Sequence, residues 1–185
     1  MNEPVGDDGP SSEKGDELQA LASQFINAGI TRDSTPNRIP SVQWQGGIET
    51  NLGSCFNIRR SVIESMRASK FGRIVNIGSI NSQAGQYGRG NYTTAKLGIY
   101  GFTKALAQEG AKAGITVNAV VPGYVDTYMV RAVPENVLEK IAASIPIGRL
   151  GRAGDIARTV KCLVANDADF ITGSTLLVNG GHHMY

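Results

Sequence analysis

The chain has 185 residues, 41% of them apolar, which is enough for one domain with a core and short for two. Eighteen basic residues against sixteen acidic leave a net charge of +2, and no stretch concentrates Lys or Arg. A nucleic-acid surface and a polybasic membrane patch are therefore disfavoured. Cys55 and Cys162 lie far apart with no second Cys or His at metal spacing, so they read as buried free thiols in a reducing compartment; no zinc site, no other metal and no disulfide framework is expected. The N-terminus lacks a basic region followed by an apolar run, and no window reaches the roughly 18 apolar residues of a membrane span. A soluble, cytoplasmic protein is the expectation.

Residues 1 to 17 (MNEPVGDDGPSSEKGDE) carry Gly, Pro, Ser and charge but too little apolar surface to offset the entropy of ordering, and predict a disordered tail; a single domain follows over 18 to 185. The run from Leu18 to Asn27-Ala28-Gly29 fits either a short helix or a strand entering a Gly turn. After a polar loop at 31 to 40, Ile48, Leu52, Cys55, Phe56, Val62, Ile63 and Met66 recur mostly at three- and four-residue spacings, predicting one long amphipathic helix from Val42 to about Ala68. Arg73 to Ile77 is a β-branched run closed by Gly78, and reads as a buried strand delivering its end into the loop Ser79 to Gly90. Helix formers return from Asn91 to Ala113, Gly114 breaks them, and Ile115 to Val121 reads as a second buried strand ended by Pro122-Gly123. Helices near Glu135 to Ala143 and Gly154 to Asn166, then a strand at Thr175 to Val178, complete the pattern. Alternating helices and continuous apolar strands predict an α/β fold, a parallel sheet with helices on both faces.

Tyr92 and Lys96 are four apart at the start of a helix, so their side chains share one face, about one turn apart. An ammonium beside a phenol favours the phenolate, which suits the pair to proton transfer. Taken alone, this spacing fits an ordinary tyrosine beside a solvated lysine. Ser79 follows a strand directly and precedes Tyr92 by 13 residues, at the kind of strand end where open α/β sheets place ligands.

Asn27-Ala28-Gly29, Asn51, Ser79, Tyr92-x-x-x-Lys96, Pro122-Gly123 and Asn179-Gly180-Gly181 stand in one order along the chain. Together they resemble the signature of the short-chain dehydrogenases/reductases, over roughly residues 26 to 185. The resemblance implies a Rossmann-like fold and a role for each matching residue. Tyr92 would donate a proton to a substrate carbonyl oxygen, and Ser79 would polarise that oxygen. Lys96 would bind the nicotinamide ribose and depress the tyrosine pKa, and Asn51 would hold a water in a proton relay. Asn27, Ala28, Gly29 and Ile30 would pass the adenosine side of the cofactor, with Pro122, Gly123, Tyr124 and Val125 packing near the nicotinamide.

Within the family, NAGITRD (27 to 33), GQYGRGNY (85 to 92), PGYVDTYM (122 to 129), IPIGRLG (145 to 151) and the ending NGGHHMY resemble the bacterial acetoacetyl-CoA reductases of polyhydroxybutyrate synthesis. Those enzymes reduce acetoacetyl-CoA to the (R)-3-hydroxybutyryl thioester with NADPH. The resemblance implies substrate contacts at Asp33, Arg38, Gln86, Tyr87, Arg89 and Tyr124. Arg38 stands where lysine is usual and keeps the cation; Arg89 stands where glutamine is usual and is expected to disturb the acyl pocket. An acyl-CoA substrate, NADPH, and a homo-oligomer (dimer or tetramer) formed through the long helices and last strand are implied as well.

A dinucleotide fold also needs a first strand, a Gly-rich turn at a helix N-terminus for the pyrophosphate, and a residue some 20 positions on that separates NAD from NADP. No TGxxxGxG-like string precedes Asn27, and Ile26 fills the first place of the usual Asn-Asn-Ala-Gly. The fold is thus expected to lack its first βαβ nucleotide-binding half, with about three strands gone from one side of the sheet. Three readings remain open: an acetoacetyl-CoA reductase, a 3-oxoacyl-[acyl-carrier-protein] reductase with the same tetrad, and a non-catalytic remnant that assembles with full-length relatives.

Overall fold

The structure, a computed structural model, describes residues 23–26 and 29–184, apart from the side chains of Phe25, Ile26 and Met129. The tail expected over 1 to 17, and Asn27 and Ala28, lie outside the described residues.

Four parallel strands form one sheet in the order β1 (Ser23–Ile26), β2 (Gly72–Ile77), β3 (Ile115–Pro122), β4 (Thr175–Val178). Every residue of β2 is buried, as is β3 up to Val121, because helices cover both faces. On one face Val62, Met66, Leu106 and Ala107 pack on Ile74, Ile115 and Val117. These come from α2 (Ser54–Ser69) and α4 (Gly90–Gly110). On the other, Leu163 packs on Val75, Ile77 and Val120, with Ile156, Val160 and Val164 beside it. The stretch that begins as an ambiguous helix or strand is β1, paired to β2 from Ser23↔Arg73 to Ile26↔Asn76.

The long helix expected over 42 to 68 is broken. α1 (Ser41–Ile48) passes into a π-helical turn (Glu49–Gly53) before α2 begins. Periodicity cannot reveal such a turn, since one widened ring leaves the apolar spacing on either side intact. The loop after β2 contains a short helix, α3 (Asn81–Ala84). α4 ends in a 3₁₀ turn (Ala111–Ala113), and α5 (Tyr128–Arg131), α6 (Glu135–Ser144) and α7 (Ala153–Val164) complete the chain. None of the described helices is long and apolar enough to cross a membrane.

The strands are less uniformly apolar than the sequence reading supposed. Arg73, Asn76, Thr116 and Asn118 are buried within β2 and β3. Asn76 accepts from Arg59 Nη2 at 2.7 Å and donates to Thr103 Oγ1 at 2.9 Å, linking α2, β2 and α4. Arg73 donates to the carbonyls of Ala165 (3.1 Å) and Asn166 (2.9 Å), just past the last turn of α7. Cys55 is buried as expected, but Cys162 is exposed. α7 turns Leu163 and its apolar neighbours to the sheet, which puts Cys162 on the outer side.

Candidate active site

The carboxyl ends of β2 and β3 lie side by side, with Gly78 N–H donating to Val120 O at 2.8 Å and Ile80 N–H to Pro122 O at 3.0 Å. Ser79 leaves β2 at that edge. The first turns of α4 run past it, bringing Tyr92 and Lys96 to the same place. The Ser79 hydroxyl is hydrogen bonded to the Tyr92 phenol, and Ser79 Oγ also accepts from Asn81 N–H at 3.3 Å. Lys96 Nζ donates to Ile77 O at 3.0 Å and lies 5.9 Å from the Tyr92 ring centroid. Serine, phenol and ammonium therefore meet because a strand end and a helix start are packed together.

Asn51 stands in the π turn and is wholly buried. Its Nδ2 donates to Ile30 O (2.9 Å) and to Gly47 O (2.8 Å), and its Oδ1 accepts from Ile30 N–H (3.2 Å). Both side-chain protons are thereby committed to backbone, so the amide clamps the loop after β1 to the helix. The same loop passes close to the reactive groups: a Cβ at Gly29 would lie 3.2 Å from Asn51 Oδ1 and 3.7 Å from Lys96 Nζ.

Burial pushes the Tyr92 phenol above its ordinary value. The hydrogen bond from Ser79 and the charge of Arg89 pull it down, Asp33 pushes it up again, and burial prevails. The resemblance has Lys96 depress this phenol; the net shift is upward, with burial its largest cause. The ammonium sits beside the ring, and its own pKa is lowered by burial.

Among the candidate substrate residues, Arg89 Nε pairs with Asp33 Oδ2 at 3.0 Å, and Ser34 N–H donates to Gly88 O at 2.7 Å. These contacts tie the loop after β1 to the loop before α4. Arg89, expected to intrude on the acyl pocket, is held by another of the candidate substrate residues. Arg38 is exposed in a turn, Gln86 is half-buried and Tyr87 is 92% exposed. Tyr124 packs obliquely on His182, with ring centroids 5.7 Å apart. The stretch Pro122 to Val125 is strapped down by Gly123 N–H to Val178 O (3.1 Å) and by a bridge from Val125 to Gly151.

A family model described as enoyl-(acyl carrier protein) reductase matches residues 13–183. The chain belongs to the short-chain dehydrogenase/reductase family. It is 56% identical over 156 residues to an acetoacetyl-CoA reductase of Shinella zoogloeoides, covering 84% of this chain and 65% of that protein. It is 45% identical over 158 residues to a 3-oxoacyl-[acyl-carrier-protein] reductase of Pseudomonas aeruginosa, covering 85% and 64%. The chain thus spans slightly under two thirds of these relatives' lengths. A crystal structure from Agrobacterium tumefaciens, described as a gluconate dehydrogenase, superposes with a TM-score of 0.84 at 33% identity, covering 92% of this chain and 70% of that one.

Membership of this family implies a nicotinamide cofactor, and the residues present fit one side of it. Lys96 and Asn51 offer polar groups beside Gly29, whose missing side chain leaves the backbone open to close approach. Pro122 to Val125 lies at the neighbouring strand end. Among the described residues no Gly-rich turn leads from a first strand into a helix to receive the pyrophosphate. Asn27 and Ala28, expected to contribute here, lie outside the described residues. Sequence reasoning missed Tyr100, which packs under Ser79; its spacing of four from Lys96, on the same helical face, could have drawn attention to it.

Proposed function

We propose that this chain carries the catalytic machinery of a cytoplasmic, NADPH-dependent acetoacetyl-CoA reductase, forming the (R)-3-hydroxybutyryl thioester for polyhydroxybutyrate synthesis. One observation carries the reading: Ser79, Tyr92 and Lys96 converge at the carboxyl edge of the sheet, in a family whose similar members include acetoacetyl-CoA reductases. When bound, the cofactor supplies the hydride. Tyr92, with its pKa raised, keeps its proton at neutral pH and can give it to the carbonyl oxygen that becomes the hydroxyl. The Ser79 hydroxyl can donate to that same oxygen and favour the charge that develops on it. Lys96 holds positive charge beside the Tyr92 ring and is oriented by Ile77 O. Asp33, Arg38, Gln86, Tyr87, Arg89 and Tyr124 frame the acyl-CoA side in this reading, on one catalytic domain over 18 to 185.

The test is NADPH consumption with acetoacetyl-CoA, run beside Tyr92→Phe, which removes the proton donor and keeps the ring. Turnover by the wild-type chain falling about 10²- to 10⁴-fold in the variant is expected. Equal turnover in both would remove Tyr92 from the chemistry. A parallel assay with a carrier-protein thioester addresses the second reading, motivated by the Pseudomonas relative. Assembly with other copies or full-length relatives is favoured by Phe56 on α2 and Leu97 on α4, each 52% exposed on the long helices. Absence of turnover by the folded chain, with recovery on adding a full-length reductase, would support the assembling role.

A further inference from the structure

We propose that Tyr100 is a positioning residue, holding Ser79 by both its backbone groups through a clasp shared with Ser82. This rests on the catalytic reading of Ser79 and extends it to a side chain that reaches no substrate.

The three residues are buried together. Tyr100 Oη donates to Ser79 O at 3.0 Å and accepts from Ser79 N–H at 3.2 Å. It also lies 2.6 Å from Ser82 Oγ, which itself hydrogen-bonds Ser79 O. One phenol thus grips the donor and the acceptor of a single residue, and the serine one turn later closes the ring of contacts. Gly78 is shaped to the same ring: a Cβ there would come within 2.5 Å of Tyr100 Oη and 2.8 Å of its Cζ. With N–H and C=O of Ser79 both fixed, little beyond rotation about χ1 is left to its hydroxyl, and Asn81 N–H (3.3 Å) restricts that. Tyr92, Lys96 and Tyr100 follow one another at four-residue intervals on α4, so proton donor, ammonium and brace share one helical face. Displacing α4 would move all three at once, and the strand end with them.

Tyr100→Phe removes the clasp and keeps the ring against Gly78. Two readouts test it. In chain labelled with ¹³Cζ-tyrosine at pH 7, with Tyr92 assigned by Tyr92→Phe, the Tyr92 resonance is expected to move toward its position in Ser79→Ala. In the Ser79→Ala background, Tyr100→Phe is expected to add nothing, because the hydroxyl it serves is gone. With acetoacetyl-CoA and NADPH, kcat is expected to fall about tenfold at unchanged KM. A Tyr92 resonance that stays put, or that moves equally without the Ser79 hydroxyl, overturns the proposal. Ser82→Ala, a milder change, is expected to give a smaller shift in the same direction and decides the matter if Tyr100→Phe does not fold. A chain with no turnover would count against the catalytic reading alone, since the resonance still reports on the clasp.

Discussion

Asn51 is the residue whose removal should cost the site its frame. Asn51→Leu keeps nearly the same volume in a wholly buried place and deletes all three amide contacts, at 2.8, 2.9 and 3.2 Å. Each such bond contributes about 0.5–1.5 kcal/mol net, and backbone groups left without partners add to the loss, so a destabilisation of about 2–4 kcal/mol is expected. Asn51→Asp keeps the acceptor for Ile30 N–H but turns a carboxyl oxygen toward the carbonyls of Ile30 and Gly47. Burial and those dipoles raise the folded-state pKa of such a group, so its penalty grows as pH rises through the unfolded value near 4. Asn51→Asp should therefore be weaker at pH 8 than at pH 5 relative to Asn51→Leu. Urea denaturation of wild type and both variants gives the free energies, and amide exchange at Ile30 reports the local clamp. A loss under about 0.5 kcal/mol in Asn51→Leu, with exchange at Ile30 unchanged, would refute the clamp.

Other outcomes follow from individual contacts. Arg73→Met, which keeps an apolar stem but takes the side-chain donor from the Asn166 carbonyl and leaves that of Ala165 only Ala168 N–H, should lower stability by about 1–3 kcal/mol in the same denaturation assay. Asp155 accepts from Arg152 N–H (2.8 Å) and Arg149 Nη1 (2.9 Å) at the start of α7, which lowers its carboxyl from the ordinary range to about 2. Its contribution is therefore present above the unfolded pKa of about 4 and lost as pH falls through about 2; thermal melts of Asp155→Asn should sit below wild type at pH 6 and merge with it at the acid end. Because burial raises the Tyr92 phenol, reduction should not lose rate through loss of its proton between pH 7 and 9, which a kcat–pH profile checks.

The layered fold was legible because its covered strands carry β-branched apolar residues around a few buried polar ones, and because helix formers end at Gly114 and resume at Glu135. The convergence of Ser79, Tyr92 and Lys96 was legible because each falls at an element boundary: Ser79 just past β2, Tyr92 and Lys96 in the opening turns of α4. What escaped was tertiary. The π turn at Asn51 leaves the apolar period on both sides undisturbed, and its side chain bonds Ile30, 21 residues away. The Arg89–Asp33 pair joins loops 56 residues apart, a contact that position along the chain does not reveal. The tuning of Tyr92 escaped for a similar reason, since spacing gives the neighbour Lys96 but not the burial that raises the phenol.

The parts of the site are held mainly by backbone, and this shapes how it tolerates change. Asn51 bonds Ile30 and Gly47, Lys96 bonds Ile77, and the hydrogen bonds of Gly78 and Ile80 fasten β2's end to β3. Carbonyl partners orient a cation without neutralising it, which keeps its charge available to a developing oxyanion but burdens the fold with desolvated charge. The same arrangement recurs deeper at Arg59, bonded to the amide oxygens of Gln24 (2.9 Å) and Asn76 (2.7 Å), whose guanidinium burial pushes down to about 10. Arg59 lies on α2, and Asn76 lies on β2 three residues before Ser79, so a buried polar layer runs directly behind the reactive edge. Substitutions in that layer should loosen the strand end before they unfold the sheet, because Val75, Ile77 and Val120 remain packed on α7 from the opposite face.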